Sequence, residues 1–164
     1  MNRITFALSA NVNFATLMLG CGAPGPQPVA VEVSCDDFAR AFDASLAASR
    51  IARKIAVPVG TPITLTLCAN PSTGYRWGPV KIADARILQQ IDHQVEASGT
   101  NLPGASVKEI WTFQVLQPGT STVSLDYSRP WTGGEKGIWQ FTLTVTASSV
   151  TLGDRVQGYL QRLP

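Results

Sequence analysis

The chain has 164 residues, of which 45% are apolar and 15% charged, with a formal charge of +2. That is enough apolar content to bury the core of one domain, and it argues against disorder. No run of Lys or Arg forms a patch, so the electrostatic footprint of a nucleic-acid binder is absent.

The first segment, 1–21, reads as an export signal. Arg3 supplies a thin charged region, and residues 4–20 are mostly apolar, with Asn11 and Asn13 as interruptions. The stretch is too short and too polar for a membrane-spanning helix. It ends in "LMLGC", residues 17–21, which resembles a bacterial lipoprotein box with small Gly20 before Cys21. The expectation is therefore an exported protein, periplasmic or at the cell surface. Cys21 would carry lipid as the sole link to the membrane. If Cys21 is unmodified, through plain cleavage or a mis-assigned start codon, the protein is secreted. The sequence holds three cysteines, and an odd number in an exported chain asks for such an explanation. Setting Cys21 aside leaves Cys35 and Cys68, either as a bridged pair or as two buried free thiols. A bridge would close a loop of about 34 residues, worth roughly 3–4 kcal/mol on a chain-entropy account.

Residues 22–34, opening with "GAPGPQPVA", read as a Pro- and Gly-rich tether to a domain spanning 35–147. In "DDFARAFDASLAASRIARK", 36–54, Phe38, Phe42 and Leu46 fall at spacing four. That predicts a short helix or an irregular edge segment, capped by Asp36 or Asp37. From residue 55 the period becomes two. "TPITLTLC" places Ile63, Leu65 and Leu67 on one face, and "RILQQIDHQV", 86–95, reads as a weaker strand. Trp111, Phe113 and Val115 then alternate, as do Val123, Leu125 and Tyr127, and finally Trp139, Phe141, Leu143 and Val145. Turn signals separate these runs, and no βαβ alternation appears. The pattern predicts an all-β sandwich of about seven antiparallel strands. Leu152, Val156, Tyr159, Leu160 and Leu163 fit one face of a short helix in the tail, 148–164.

Catalytic chemistry has no foothold. Acid–base or nucleophilic catalysis needs paired groups, and the one histidine, His93, lies in a strand among Gln and Asp. The Cys spacings match no zinc pattern, there is no phosphate-binding Gly loop, and "GxSxG" is absent. Adjacent Asp36 and Asp37 point different ways. Neither enzyme activity nor a cofactor is expected. Binding through loops is the natural use of such a scaffold.

Two loops have unusual content. In "NPSTGYRW", 70–77, Asn70 can start a turn, Pro71 fixes φ, and Gly74 tolerates positive φ. Ser72 and Thr73 occupy the tip, with Tyr75 behind. An ordinary turn backed by a core aromatic would explain most of this. In "SRPWTGGEKG", 128–137, Pro130 blocks central-strand pairing, and Trp131 follows Arg129 closely near a strand end. Trp and Arg are enriched at binding hot spots. A Trp capping the core, with Arg129 paired to Glu135, is the plainer account.

Together, "NPSTGY" and "RPW…TGG" resemble the NPTTGY/F and RPW/F motifs of the chagasin-like inhibitors of papain-type cysteine peptidases. Their order along the chain also fits, over roughly residues 55–147. The resemblance implies an immunoglobulin-like β-sandwich, agreeing with the period-two reading. It further implies a monomer that reversibly and non-covalently blocks papain-family peptidases. Three loops would form the wedge: Asn70, Pro71, Ser72, Thr73, Gly74 and Tyr75 in the first, Gly104 in the second, and Arg129, Pro130 and Trp131 in the third. Thr73 and Gly74 would approach the enzyme's catalytic Cys and His most closely. The family's middle loop often reads GxGG, whereas here "PGASVKE" keeps only Gly104. The competing reading is a surface-anchored immunoglobulin-like adhesion or assembly module; another is an inhibitor-like domain whose protease contact has drifted.

Overall fold

A computed structural model describes residues 25–45, 49–97, 104–134 and 137–149. The export signal, Cys21 and the tail from 150 onward lie outside the described residues. Nine strands and one helix are present among them: β1 Val29–Val33, α1 Cys35–Ser45, β2 Ser49–Pro58, β3 Pro62–Ala69, β4 Arg76–Trp77, β5 Lys81–Ile82, β6 Leu88–Ala97, β7 Val107–Val115, β8 Gly119–Ser128 and β9 Trp139–Ser148. They form two sheets. One is ordered β1-β3-β7-β6 and the other β2-β9-β8-β4, with β5 also paired to β8.

The alternating runs build the core between these sheets. Ile63, Leu65, Leu67, Phe113, Val115, Val123, Leu125, Phe141, Leu143 and Val145 are all buried, their intervening neighbours less so. Burying each such side chain contributes about 1.5–3 kcal/mol against exposure. The fold is thus the all-β sandwich that the periodicity implies, of the immunoglobulin-like kind that the resemblance implies.

Three local expectations need correction. The tether read over 22–34 is, from Val29 on, the strand β1, which pairs in parallel with β3, Val31 opposite Leu65. Its short "VAVEV" does alternate, but Pro and Gly just upstream mask the signal. The segment 36–54 is also divided. The helix stops at Ser45, and residues from Ser49 form β2, parallel to β9 with Ile51 opposite Phe141. The sandwich is therefore not wholly antiparallel. Finally, the helix is capped by Ser34, not by Asp36 or Asp37. Ser34 Oγ accepts the Asp37 N–H at 3.2 Å, and Asp37 Oδ2 accepts the Ser34 N–H at 2.9 Å. This reciprocal pair is a capping box built with Asp. The bonds from Ser34 hold the Asp37 carboxyl below its usual range.

The strand registers decide where the loops lie. Ala69 pairs with Val107, Arg76 with Ser128, Tyr127 with Trp139, and Val33 with Leu67. Antiparallel pairing therefore brings the loops after β3, before β7 and after β8 to one end of the sandwich. Helix α1 passes from one sheet to the other at that same end. Its Phe38 is fully buried, stacked on Trp139 at 4.8 Å and tilted against Trp77 at 5.4 Å. Cys35, at the helix start, is disulfide-bonded to Cys68, with Cα atoms 5.2 Å apart.

Candidate functional site: three loops at one end of the sandwich

The first loop is organised by its own polar groups. Pro71–Thr73 form a single 3-10 turn. Asn70 Oδ1 accepts the Ser72 N–H at 3.2 Å and also the Ser72 hydroxyl. The Asn70 carbonyl accepts the Thr73 N–H at 3.2 Å and the Thr73 hydroxyl at 2.6 Å, while the Pro71 carbonyl accepts the Gly74 N–H at 3.0 Å. Such local side-chain bonds compete well with regular structure and favour turns. Gly74 closes the turn at φ +80°, a left-handed conformation that other residues adopt only at a cost. Pro71, Ser72 and Thr73 stand exposed at the tip.

The second loop is tied to the first through one bond. Asn70 Nδ2 donates to the Gly104 carbonyl at 3.1 Å. Both ends of the Asn70 amide are therefore used, its oxygen within the turn and its nitrogen across to the neighbouring loop. Gly104 has φ +85°, and a Cβ there would lie 3.9 Å from Ser72 Oγ.

The third loop reaches the first from the other side. Trp131 is 51% exposed, yet its ring lies directly over Gly74. A Cβ built on Gly74 would sit 2.6 Å from Trp131 Cη2, so any larger residue there would push the indole off its seat, besides being strained at this φ. The Arg129 guanidinium stacks 4.5 Å over the Tyr75 ring and 5.7 Å from the Trp131 ring, a cation–π arrangement. The loop's exit is held by the Gly137 N–H donating to Ser128 Oγ at 2.7 Å and the Ile138 N–H donating to the Tyr127 carbonyl at 3.1 Å. Glu135 lies outside the described residues.

All ten residues singled out from the sequence thus fall within one cluster, but not with equal exposure. Tyr75 is buried. It stacks on Tyr127 at 5.6 Å with Arg129 on it, and so supports the loops from beneath.

Sequence reasoning placed Tyr127 only in the core. Its ring is 2% exposed, flanked by Trp77 at 4.9 Å and Trp139 at 4.8 Å. Its hydroxyl accepts the Asn70 N–H at 2.7 Å, while the Thr73 hydroxyl donates to the carbonyl of the same Asn70. Burial pushes the phenol above its ordinary range, and the Asn70 and Thr73 bonds offset part of this. Trp77 makes a second link between sheets, its Nε1–H donating to the Cys68 carbonyl at 3.0 Å. Nearby, His93 stacks on Trp111 at 4.8 Å, and its Nε2 lies 3.2 Å from Glu109 Oε2. Burial raises the Glu109 carboxyl above its usual range, and contact with His93 pulls it partly back. Among the described residues there is no cluster of His, Cys, Asp and Glu able to hold a metal ion.

The two-sheet sandwich thus presents three interlocked loops at one end. Residues 56–145 match the family described as chagasin family peptidase inhibitor I42. The chain belongs to that family. It is 36% identical over 84 residues to amoebiasin-2 of Entamoeba histolytica, a match covering 51% of this chain and 68% of the relative. With chagasin of Trypanosoma cruzi it shares 30% identity over 97 residues, covering 57% and 88% respectively. The fold is similar to the crystal structure of the cysteine protease inhibitor EhICP2 from Entamoeba histolytica, with TM-score 0.56, 21% identity, and coverage of 76% of this chain and 100% of that one. It is also similar to PbICP-C, whose structure was determined in complex with falcipain-2. There the TM-score is 0.52 at 13% identity, covering 74% and 99%.

Proposed function

We propose that this protein is a reversible, non-covalent inhibitor of papain-type cysteine peptidases, and that the loops at 70–75, Gly104 and 129–131 are its contact surface. The observation that carries this reading is the interlock. Asn70 bonds to Gly104, and Trp131 seats on Gly74, so the three loops act as one preformed edge. A wedge assembled before binding loses little conformational entropy on entering a cleft.

The turn's internal bonding supports blockage without cleavage. A peptide is cut when an extended segment offers a carbonyl in line for attack by the nucleophile. Here the Asn70 and Pro71 carbonyls are already engaged inside a 3-10 turn. Thr73 and Gly74 at the tip would face the enzyme's catalytic pair. Trp131, half exposed on a fixed seat, has the character of a hot-spot anchor. The protein would act as a monomer, without a cofactor and without an enzymatic step of its own.

Titration of the purified domain against papain tests this reading. Reversible inhibition is expected, with the inhibitor recovered intact. A domain that leaves papain fully active at micromolar concentration is not an inhibitor of this class. Export and anchoring are part of the same proposal. Labelling cells with a fatty-acid probe should mark the wild type and spare Cys21→Ser.

A further inference from the structure

We propose that Tyr127 is the positioning residue of the inhibitory edge, its hydroxyl holding the 70–75 turn at a fixed height relative to the Arg129–Trp131 loop. The inference rests on the inhibitor reading and adds to it a residue that touches no enzyme.

The argument is one of placement. Tyr127 belongs to β8, and that strand leads within two residues to Arg129. The turn grows from β3, in the opposite sheet. Its far end enters β4, whose Arg76 and Trp77 pair with Ser128 and Tyr127, so that end is already tied to the β8 sheet, and the near end, at Asn70, needs its own link across the gap. The phenol spans it, from the β8 backbone to the Asn70 N–H at 2.7 Å. Its ring cannot tilt freely, being packed by Tyr75, Trp77 and Trp139. Its carbonyl accepts the Ile138 N–H at 3.1 Å, which fixes the return of the Trp131 loop. One residue therefore sets the turn with its side chain and the Trp131 loop with its backbone. The Asn70 N–H has no other partner inside the turn, where the internal bonds come from residues 72, 73 and 74. Without the hydroxyl a backbone donor at the base of the turn is left unsatisfied.

Tyr127→Phe keeps the ring and removes only the hydroxyl. Inhibition of papain should weaken on the order of tenfold, mostly through faster dissociation. Amide exchange at Asn70 should accelerate while core amides in β3 and β8 hold their protection. The loss should be non-additive with Thr73→Ala, whose hydroxyl donates to the carbonyl of Asn70, the residue that the phenol holds by its N–H. An unchanged inhibition constant for Tyr127→Phe against an active wild type overturns the proposal, as does full additivity with Thr73→Ala. A wild type that leaves papain untouched sinks the inhibitor reading instead. In that event, unchanged Asn70 exchange in Tyr127→Phe refutes the positioning role, and faster exchange upholds it.

Discussion

The turn at 70–75 and the loop at 129–131 sit against each other but are held by different forces. The turn is wired by short polar bonds among its own residues, nearly all within three positions in sequence. The Trp131 loop keeps hydrogen bonds at its exit but meets the turn through an indole ring and a guanidinium, contacts that are broad and tolerant of small shifts. Hydrogen bonds fix direction steeply, whereas ring packing is less directional. For the proposed contact surface this difference would divide the labour, with a rigid tip at the enzyme's narrow centre and a broad aromatic face at its rim.

Substitutions can separate the two halves. Gly74→Ala should do the most damage, because it strains the turn and evicts Trp131 at once. Inhibition should weaken on the order of 100- to 1000-fold, measured against papain, with the sandwich still folded by circular dichroism. A loss smaller than that of Trp131→Ala would show that the seat on Gly74 is incidental. Trp131→Ala alone should cost about 2–4 kcal/mol of binding and leave turn amides protected from exchange. Asn70→Asp is finer still. It keeps the acceptor for the Ser72 N–H but loses the donor to the Gly104 carbonyl. The expected cost is about 1–2 kcal/mol of binding. If Asn70→Asp matches wild type in the papain assay, the bond between the first and second loops contributes nothing.

The smallest effect concerns neither loop. Glu109, on β7 just beyond the Gly104 loop, has its carboxyl raised by burial. The folded protein therefore keeps that proton to higher pH than the unfolded chain does. Stability from this group is present at low pH and declines as pH rises through the raised value. Glu109→Gln should flatten the decline as pH rises above the ordinary carboxylate range, in urea midpoints compared with wild type. A steeper decline in the variant would contradict the burial argument.

How much of this could be read from the sequence follows from how local each feature is. Ile63, Leu65 and Leu67 announce their strand because burial repeats every second residue, and the core pairs face as the period requires. Asn70, Pro71 and Gly74 announce a turn because their bonds are with near neighbours. Val29–Val33 escaped because five residues beside a Pro-rich stretch carry little periodic signal. The helical spacing of Phe38, Phe42 and Leu46 carries the expectation of a helix on into β2, a strand fixed by its long pairing with the distant β9 and not by a local pattern. Tyr127 reads as one more core aromatic in an alternating run. Its bond to Asn70 spans 57 positions, and no local pattern encodes that. Trp131 over Gly74 is legible only as two separate residues until the fold brings them together.

The contact between Asn70 and Gly104 uses a main-chain carbonyl, and every amino acid carries one. What the second loop must preserve is therefore its path: a single glycine at φ +85° to turn the chain and an oxygen delivered to the right place. Its remaining letters are released to vary. The letters PGAS supply this link through one glycine and one main-chain oxygen, so the spelling of the loop says less about the contact than its path does.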